Sequence, residues 1–236
     1  MPAGKIINAG NIKIRNLDPG DYVGISFWLI SIALTSSTGF FALERFDVPD
    51  KWKTSLSVCT MITGIAATHY YYMRGVWIGT GKSPITYRYI DWFLTVPLQI
   101  IEFYLILSVA GKIPSELFYK LMGASVLMIL FGFLGETGII NRMIGFGGGM
   151  VFWLYILYSI FYGEAAELRK NTDDPGVKFA FDWLRIIVSV GWAIYPIGYL
   201  MGNKNMNLLY NLGDLVNKIL FCVVIWYGAK YKTIIK

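Results

Sequence analysis

Seven long stretches of mostly apolar residues alternate with short polar segments along the chain. A helix that crosses a lipid bilayer needs about 20 such residues. Seven of these helices leave only short connections, so the pattern predicts an all-α membrane protein, a single seven-transmembrane-helix bundle over residues 1–236. The predicted spans are roughly residues 22–43, 54–72, 89–110, 117–135, 143–162, 186–201 and 208–229.

The connections between these spans predict an orientation. Lys and Arg are more frequent in the connections on the side of the carboxyl terminus, which favours an N-terminus outside and a cytoplasmic C-terminus. Residues 1–21 contain no apolar core of a signal peptide, so we expect the first span to direct insertion. The Gly-, Thr- and Ser-rich segment 75–87 favours a small hairpin on the outer side.

The composition supports a membrane setting. Hydrophobic residues make up 56% of the chain and charged residues only 15%, whereas soluble domains carry roughly 25% charged residues. Disorder, binding to nucleic acid and a disulfide-stapled secreted fold are therefore disfavoured. Cys59 and Cys222 each lie inside an apolar run and are expected to be small buried hydrophobic residues.

Charged residues deep in the predicted membrane occur in only two spans. Asp91 and Glu102 lie in the third, and Asp214 and Lys218 lie in the seventh. Placing one such group near the bilayer centre costs at least ~3 kcal/mol. This concentration indicates a functional site rather than chance.

Lys218 and Asp214 are four residues apart, so both project from one face of the seventh helix. One interpretation is a structural ion pair. The other is a desolvated amine of the kind that Schiff-base chemistry uses. The sequence favours the second, because the middle of a span is the least favourable position for a cation.

The third span carries a matching stripe. Arg88, Asp91, Thr95 and Glu102 are separated by steps that keep them on one helical face, and Asp91 and Glu102 lie ~16 Å apart along the axis. A lysine near the level of Thr95 would lie between the two carboxyl groups. Arg88 can balance the carboxylates on its side, while Glu102 is flanked by apolar residues, which favours its protonated form. One carboxyl group is then ready to accept a proton and the other to give one.

Aromatic residues around these spans predict a pocket. Trp192, Tyr195 and Pro196 fall on one face of the sixth span, where the proline is expected to kink the helix. Trp92 and Pro97 do the same in the third span. An aromatic stripe by itself is typical of plain packing, but one that faces a buried lysine favours a slot for a long apolar ligand.

Several runs resemble proteorhodopsin-type microbial rhodopsins across nearly all of residues 22–230. They are RYIDWFLTVP from Arg88, followed by Glu102; NLGDLVNK ending at Lys218; WAIYP from Trp192; HYYYMRGVW from His69; and KWKTS from Lys51. The resemblance implies a light-driven outward proton pump of the bacterial inner membrane. Its cofactor would be all-trans retinal, bound to a lysine in a pocket formed by Trp92, Trp192, Tyr195 and Pro196.

The resemblance also implies a role for each charged residue. Lys218 would carry retinal as a protonated Schiff base. Asp91 would be the main counterion and the primary proton acceptor, and Asp214 the second counterion. Arg88 would order the outward release path.

Four further positions match the family. Thr95 and Glu102 would complete its Asp-Thr-Glu pumping motif with Asp91, and Glu102 would be the cytoplasmic proton donor. His69 would hydrogen-bond Asp91. Gln99 would occupy the spectral-tuning position, where glutamine marks blue-absorbing members and leucine green-absorbing ones. A polar amide there would stabilise charge localised in the ground state.

Other functions remain open at this point. A sensory rhodopsin that signals through a membrane partner would share the fold and retinal site, but it does not need a proton donor at Glu102. Chloride pumps would lack the carboxylate at Asp91, and sodium pumps would show Asn, Asp and Gln at 91, 95 and 102. A receptor or lipid-binding scaffold without retinal would leave Lys218 unexplained.

The expected partners are membrane lipid, protons as the transported ion, and further copies of the chain, because family members form pentamers or hexamers. In such an oligomer His69 would lie near Trp28 of a neighbouring copy. No metal site and no nucleic-acid partner are expected.

Overall fold

Long helices account for most of the chain, as the apolar pattern predicts. The computed structural model describes residues 6–9, 12–201 and 205–234. The helices are α1 Tyr22–Glu44, α2 Lys53–Thr80, α3 Ile85–Ala110, α4 Ser115–Glu136, α5 Arg142–Phe161, α6 Glu164–Lys170, α7 Pro175–Ile186, α8 Ile194–Met201 and α9 Asn205–Ile234. The all-helical fold class is thereby confirmed, with α7 and α8 together forming the sixth span and α6 a short connecting helix.

Short elements complete the described chain. Turns of 3-10 helix at Arg45–Asp47 and Asp50–Trp52 connect α1 to α2. Before the bundle, β1 Ile6–Ala9 pairs with β2 Ile12–Arg15 in an antiparallel hairpin in which Ile6 is opposite Arg15. The sequence pattern had not indicated these strands.

Six segments in the described residues are long and apolar enough to cross a membrane, which makes the chain a multi-pass membrane protein. The exception among the predicted spans is α2. It is long enough, at 28 residues, but its Ser, Thr and Tyr residues lower its hydropathy.

The hairpin predicted over residues 75–87 is wrong. Helix α2 continues to Thr80, and α3 begins at Ile85. Gly81 ends α2 with a φ of 65°, a left-handed conformation that glycine adopts without a steric penalty. The last turn of α2 is also held by Trp77, whose indole N–H donates to the Asp21 carboxylate that caps α1, at 2.6 Å.

The sixth span is interrupted where the sequence predicts a kink. A π-helical turn at Ile187–Gly191 separates α7 from α8, and Pro196 follows in the first turn of α8. Proline cannot donate the backbone hydrogen bond that residue 192 would otherwise accept. The Trp192 carbonyl instead accepts the Tyr195 backbone N–H at 3.0 Å, and the side-chain amide of Asn217 in α9 donates to the neighbouring Gly191 carbonyl at 2.9 Å.

The centre of the bundle is formed by α3 and α9, which are the two most enclosed of the candidate spans. They are also the two spans that carry the deep charges. Cys59 and Cys222 are buried and not bonded to each other, as expected for small apolar residues.

Candidate functional site: a buried lysine between two carboxylates

The side chain of Lys218 lies between two carboxylates from different helices. Its Nζ forms an ion pair with Asp91 Oδ2 of α3 and a second one with Asp214 Oδ2 of its own helix, at 3.3 Å. All three side chains are at most 1% exposed. Buried charges persist in this way only when they are paired and hydrogen-bonded, so the three groups form one electrostatic unit.

Asp214 is the more extensively hydrogen-bonded of the two carboxylates. It accepts hydrogen bonds from the Tyr70 hydroxyl at 2.7 Å and the Tyr195 hydroxyl at 2.8 Å. The indole N–H of Trp92 donates to it at 3.2 Å. Donors from α2, α3 and α8 therefore fix its position and stabilise its negative charge.

Arg88 reaches this network through neutral groups. Its guanidinium donates to the Tyr70 hydroxyl at 3.0 Å and to the Asn211 side chain at 2.8 Å, and Asn211 in turn donates to Ser26 of α1 at 2.8 Å. Within the described residues Arg88 makes no direct ion pair. Its charge acts on Asp214 through one tyrosine hydroxyl, on the side of the bundle where α1 begins.

Polar groups continue from Arg88 towards that end of the bundle. Asn207 of α9 lies 3.5 Å from the Arg88 guanidinium and accepts a hydrogen bond from Ser83, at 2.8 Å, in the connection before α3. Side chains within hydrogen-bonding reach of one another thus extend from Lys218 through Asp214, Tyr70, Arg88 and Asn207 to Ser83 in the α2–α3 connection.

The second oxygen of Asp91 is not engaged in this way. Its Oδ1 has no hydrogen-bond partner in the described part of the chain. The Thr95 hydroxyl donates to the Asp91 backbone carbonyl at 2.9 Å, rather than to its carboxylate. One carboxylate oxygen beside the lysine is therefore free to take a proton.

His69 lies near Asp91 but makes no hydrogen bond to it. Its ring Nδ1 is 3.0 Å from the Ile65 carbonyl in the preceding turn of α2. The local helical contact holds the ring in this orientation, so the hydrogen bond that the resemblance implied is not formed in this structure.

Glu102 has surroundings opposite to those of Asp214. Its carboxyl group is fully buried, and neither oxygen makes a hydrogen bond within the described residues. The hydroxyl of Ser55 in α2 is the polar group that faces it. Charging a carboxyl group in such a position is costly, because no donor replaces the water that burial removes.

A cavity adjoins the lysine. The cavity has a volume of about 110 Å³. It extends from Lys218 and Asp214 to Met128 and Phe146 on α4 and α5. Its walls are largely aromatic. Among the residues predicted from the sequence, those that line it are Trp92, Gln99, Trp192, Tyr195, Pro196, Asp214 and Lys218.

The residues of this cavity fit a long apolar aldehyde. One amine lies at its end, the two carboxylates beside that amine can hold a positive charge there, and the walls are apolar over the remaining length. The other predicted residues lie outside the cavity lining: Arg88 and Asp91 beyond the lysine, Thr95 and Glu102 along α3, and His69 on α2.

Sequence reasoning missed Tyr70 and Asn211, although both connect Arg88 to the rest of the site. A signal for Asn211 was available. Asn207, Asn211, Asp214 and Lys218 recur at steps of four, three and four residues, which puts a polar stripe on one face of an otherwise apolar helix.

Comparison with known families gives a match over nearly the whole chain. The family described as "Bacteriorhodopsin-like protein" matches residues 21–231. The chain is 51% identical over 222 residues to the green-light absorbing proteorhodopsin of Gamma-proteobacterium EBAC31A08, covering 91% of this chain and 89% of that one. It is 49% identical over 223 residues to the blue-light absorbing proteorhodopsin of Gamma-proteobacterium Hot 75m4, covering 91% and 88%.

Solved structures give the same result. The blue light-absorbing proteorhodopsin from Med12 aligns with a TM-score of 0.80 and 48% identity, covering 90% of this chain and 100% of that one. Xanthorhodopsin, described as a light-driven ion pump with dual chromophore, aligns with a TM-score of 0.79 and 26% identity, covering 92% and 96%.

Proposed function

The chain belongs to the bacteriorhodopsin-like protein family, and we propose that it is a light-driven outward proton pump. One observation carries the proposal: a buried lysine lies between two carboxylates, and a third, unpaired carboxyl group lies further along α3. The similarity to xanthorhodopsin, a light-driven ion pump, supports it.

The proposed cofactor is all-trans retinal, held covalently by Lys218 Nζ in the aromatic cavity. Its polyene matches the apolar walls formed by Trp92, Trp192 and Pro196. Bound there, retinal would supply the absorption of light and a change of shape that alters the side from which the Lys218 nitrogen is reached. Asp91 and Asp214 hold the positive charge of this nitrogen at rest.

In this proposal Asp91 accepts the proton from the Lys218 nitrogen. Its carboxylate touches the Lys218 nitrogen, and its Oδ1 has no competing donor in the described residues. Asp214 keeps its charge because three side chains donate to it. Arg88, Asn211 and Asn207 then lead from this carboxylate pair towards the end of the bundle that we place outside.

Glu102 returns a proton to the Lys218 nitrogen. It is eleven residues beyond Asp91 in α3, or ~16 Å along the helix, on the side that we place in the cytoplasm. Its neutral carboxyl group stores a proton in apolar surroundings until the Lys218 nitrogen can accept it. A donor and an acceptor on opposite sides of one nitrogen give the transfer its direction.

The remaining features of the proposal concern the setting of the protein. The bundle would lie in the bacterial inner membrane as one domain over residues 1–236, with the N-terminus outside. It would assemble as a pentamer or hexamer. In this oligomer, His69 would approach Trp28 of the next copy. Trp28 is partly exposed, and the Arg74 guanidinium lies 4.3 Å over its ring. Gln99 lines the cavity and favours absorption towards the blue.

The decisive experiment is a measurement of pH in the medium of retinal-supplied cells that express the chain without any partner protein. Illumination is expected to acidify the medium, and a protonophore should abolish the change. Alkalinisation on illumination would contradict the outward direction. A coloured protein that moves no protons would instead favour a sensory function.

A further inference from the structure

One partly buried carboxyl group has no part in the cycle above. We propose that Glu136, the last residue of α4, is a positioning residue: it holds Tyr89 and Tyr210 against Trp92 and so fixes the counterion Asp214. This inference rests on the proposed function, because Asp214 is a counterion only when a chromophore is bound.

The first step is a pair of hydrogen bonds. The Tyr89 hydroxyl donates to Glu136 Oε2 at 2.9 Å, and the Tyr210 hydroxyl donates to Oε1 at 3.4 Å. The two tyrosines come from α3 and α9, the helices that carry Asp91 and Lys218. One carboxyl group of α4 therefore connects both central helices, and we call these three residues the Glu136 clasp.

Two glycines leave the space that the tyrosines occupy. A Cβ atom on Gly132, one turn before Glu136, would lie 3.0 Å from the Tyr89 hydroxyl. A Cβ atom on Gly198 in α8 would lie 2.5 Å from the Tyr210 ring. Both distances are too short for an ordinary carbon contact, so alanine at either position would displace the tyrosine.

The tyrosines in turn enclose Trp92. The rings of Tyr89 and Tyr210 each lie 5.1 Å from it, edge-on at 76° and 82°. Edge-to-face contact is the arrangement that aromatic pairs favour, so both contacts stabilise the position of the indole. With both sides of the indole held, its N–H remains directed at Asp214.

Several ionisable side chains surround the Glu136 clasp. Arg88 is 5.4 Å from the Tyr210 ring, and its charge acts on Glu136 as well as on Asp214. The other ionisable groups that act on Glu136 or lie beside it are Tyr89, Tyr199, Tyr210 and Arg142. Removing Glu136 thus loosens Trp92 and also removes a polar group from the surroundings of Arg88.

The first test compares the retinal-bound Glu136→Ala protein with Glu116→Gln, an exposed glutamate at the other end of α4. We expect Glu136→Ala to absorb at longer wavelength, because a loosened Asp214 stabilises the ground-state charge less. Bleaching by hydroxylamine should be about tenfold faster, equivalent to ~1.4 kcal/mol. Glu136→Gln, which keeps one acceptor oxygen, should restore part of both properties. Wild-type absorption and bleaching in Glu136→Ala would overturn the proposal.

The second test needs no retinal. In a double-mutant cycle on the retinal-free protein, Glu136→Ala and Tyr89→Phe should lower the unfolding temperature less together than the sum of their separate effects, because they remove the same hydrogen bond. Additive effects would overturn the clasp. If the wild-type chain gains no colour with retinal, the proposed function fails, while this cycle still decides whether the clasp exists.

Discussion

The two halves of α3 lie beside carboxyl groups in opposite surroundings. On the Arg88 side, Asp214 accepts hydrogen bonds from a tryptophan and two tyrosines, and a guanidinium lies one hydroxyl away. On the Glu102 side, the carboxyl group is equally buried, yet no hydrogen bond in the described residues reaches it. Two equally buried carboxyl groups thus differ completely in the number of donors that reach them.

Hydrogen-bond donors are what distinguish the two halves. A carboxylate with several donors is stabilised in its charged form, whereas an isolated one favours the neutral acid. In the proposed cycle the lysine lies between the halves, and this asymmetry, with a nitrogen that faces each half in turn, would give proton movement one direction. The predictions below remove one part of the asymmetry at a time.

The largest effect is expected from Lys218→Ala, which removes the amine that lies between the two halves of α3. The variant should gain no visible absorption band when retinal is added, and it should move no protons. Lys232→Ala is the matched control, since Lys232 is an exposed lysine of the same helix. Colour in Lys218→Ala that survives denaturation would place the attachment elsewhere.

Asp91→Asn removes the proton acceptor but leaves the donors around Asp214 in place. Colour should persist, since Asp214 still balances the Lys218 charge, while light-driven proton release falls at least ~100-fold. The measurement is the light-induced pH change per absorbed photon in vesicles. Transport at the wild-type level would show that Asp91 is not the acceptor.

Much of this asymmetry could be predicted from the sequence. The deep charges were evident because acids and bases are rare in apolar spans, and the helical period placed them on facing stripes. The tyrosine partner of Arg88 was not evident, since Tyr70 is one of three consecutive tyrosines and only the packing of α2 selects it. The length of α2 was also missed, because the polar residues before Gly81 resemble a loop. The orientation of the His69 ring depends on its contact with Ile65 and is not encoded in spacing.

Glu102→Gln tests the other half. The variant should keep the resting colour and release a proton on the first flash, but recovery of the resting absorption should slow by ~100-fold, as for the loss of a general acid. A small weak acid such as azide should restore the rate, because it can deliver a proton where the carboxyl group did. Glu116→Gln, on the surface of α4, should recover normally.

If recovery in Glu102→Gln matched the wild type, protons would reach the nitrogen by another route. Glu102 would then have only a structural role, in the packing between α2 and α3, where Ser55 faces it.

The smallest effect is expected from Gln99→Leu, which alters neither half but lies between them. The Gln99 amide donates to the backbone carbonyl of Asn217, the residue before Lys218, at 3.1 Å, and lines the cavity. Leucine is similar in volume and removes this dipole, so the ground-state charge near Lys218 loses stabilisation and the absorption maximum should move to longer wavelength. Proton release and recovery should remain within about tenfold of the wild type, since one neutral hydrogen bond is worth ≈ 0.5–1.5 kcal/mol. The Gln99→Met variant keeps the length of the side chain but also lacks the amide: a similar red shift there would show that loss of the amide, and not a change of side-chain shape, moves the absorption. An unchanged spectrum in Gln99→Leu would mean that colour is set by the carboxylates alone, and the contrast between the two halves of α3 would then govern absorption as well as transport.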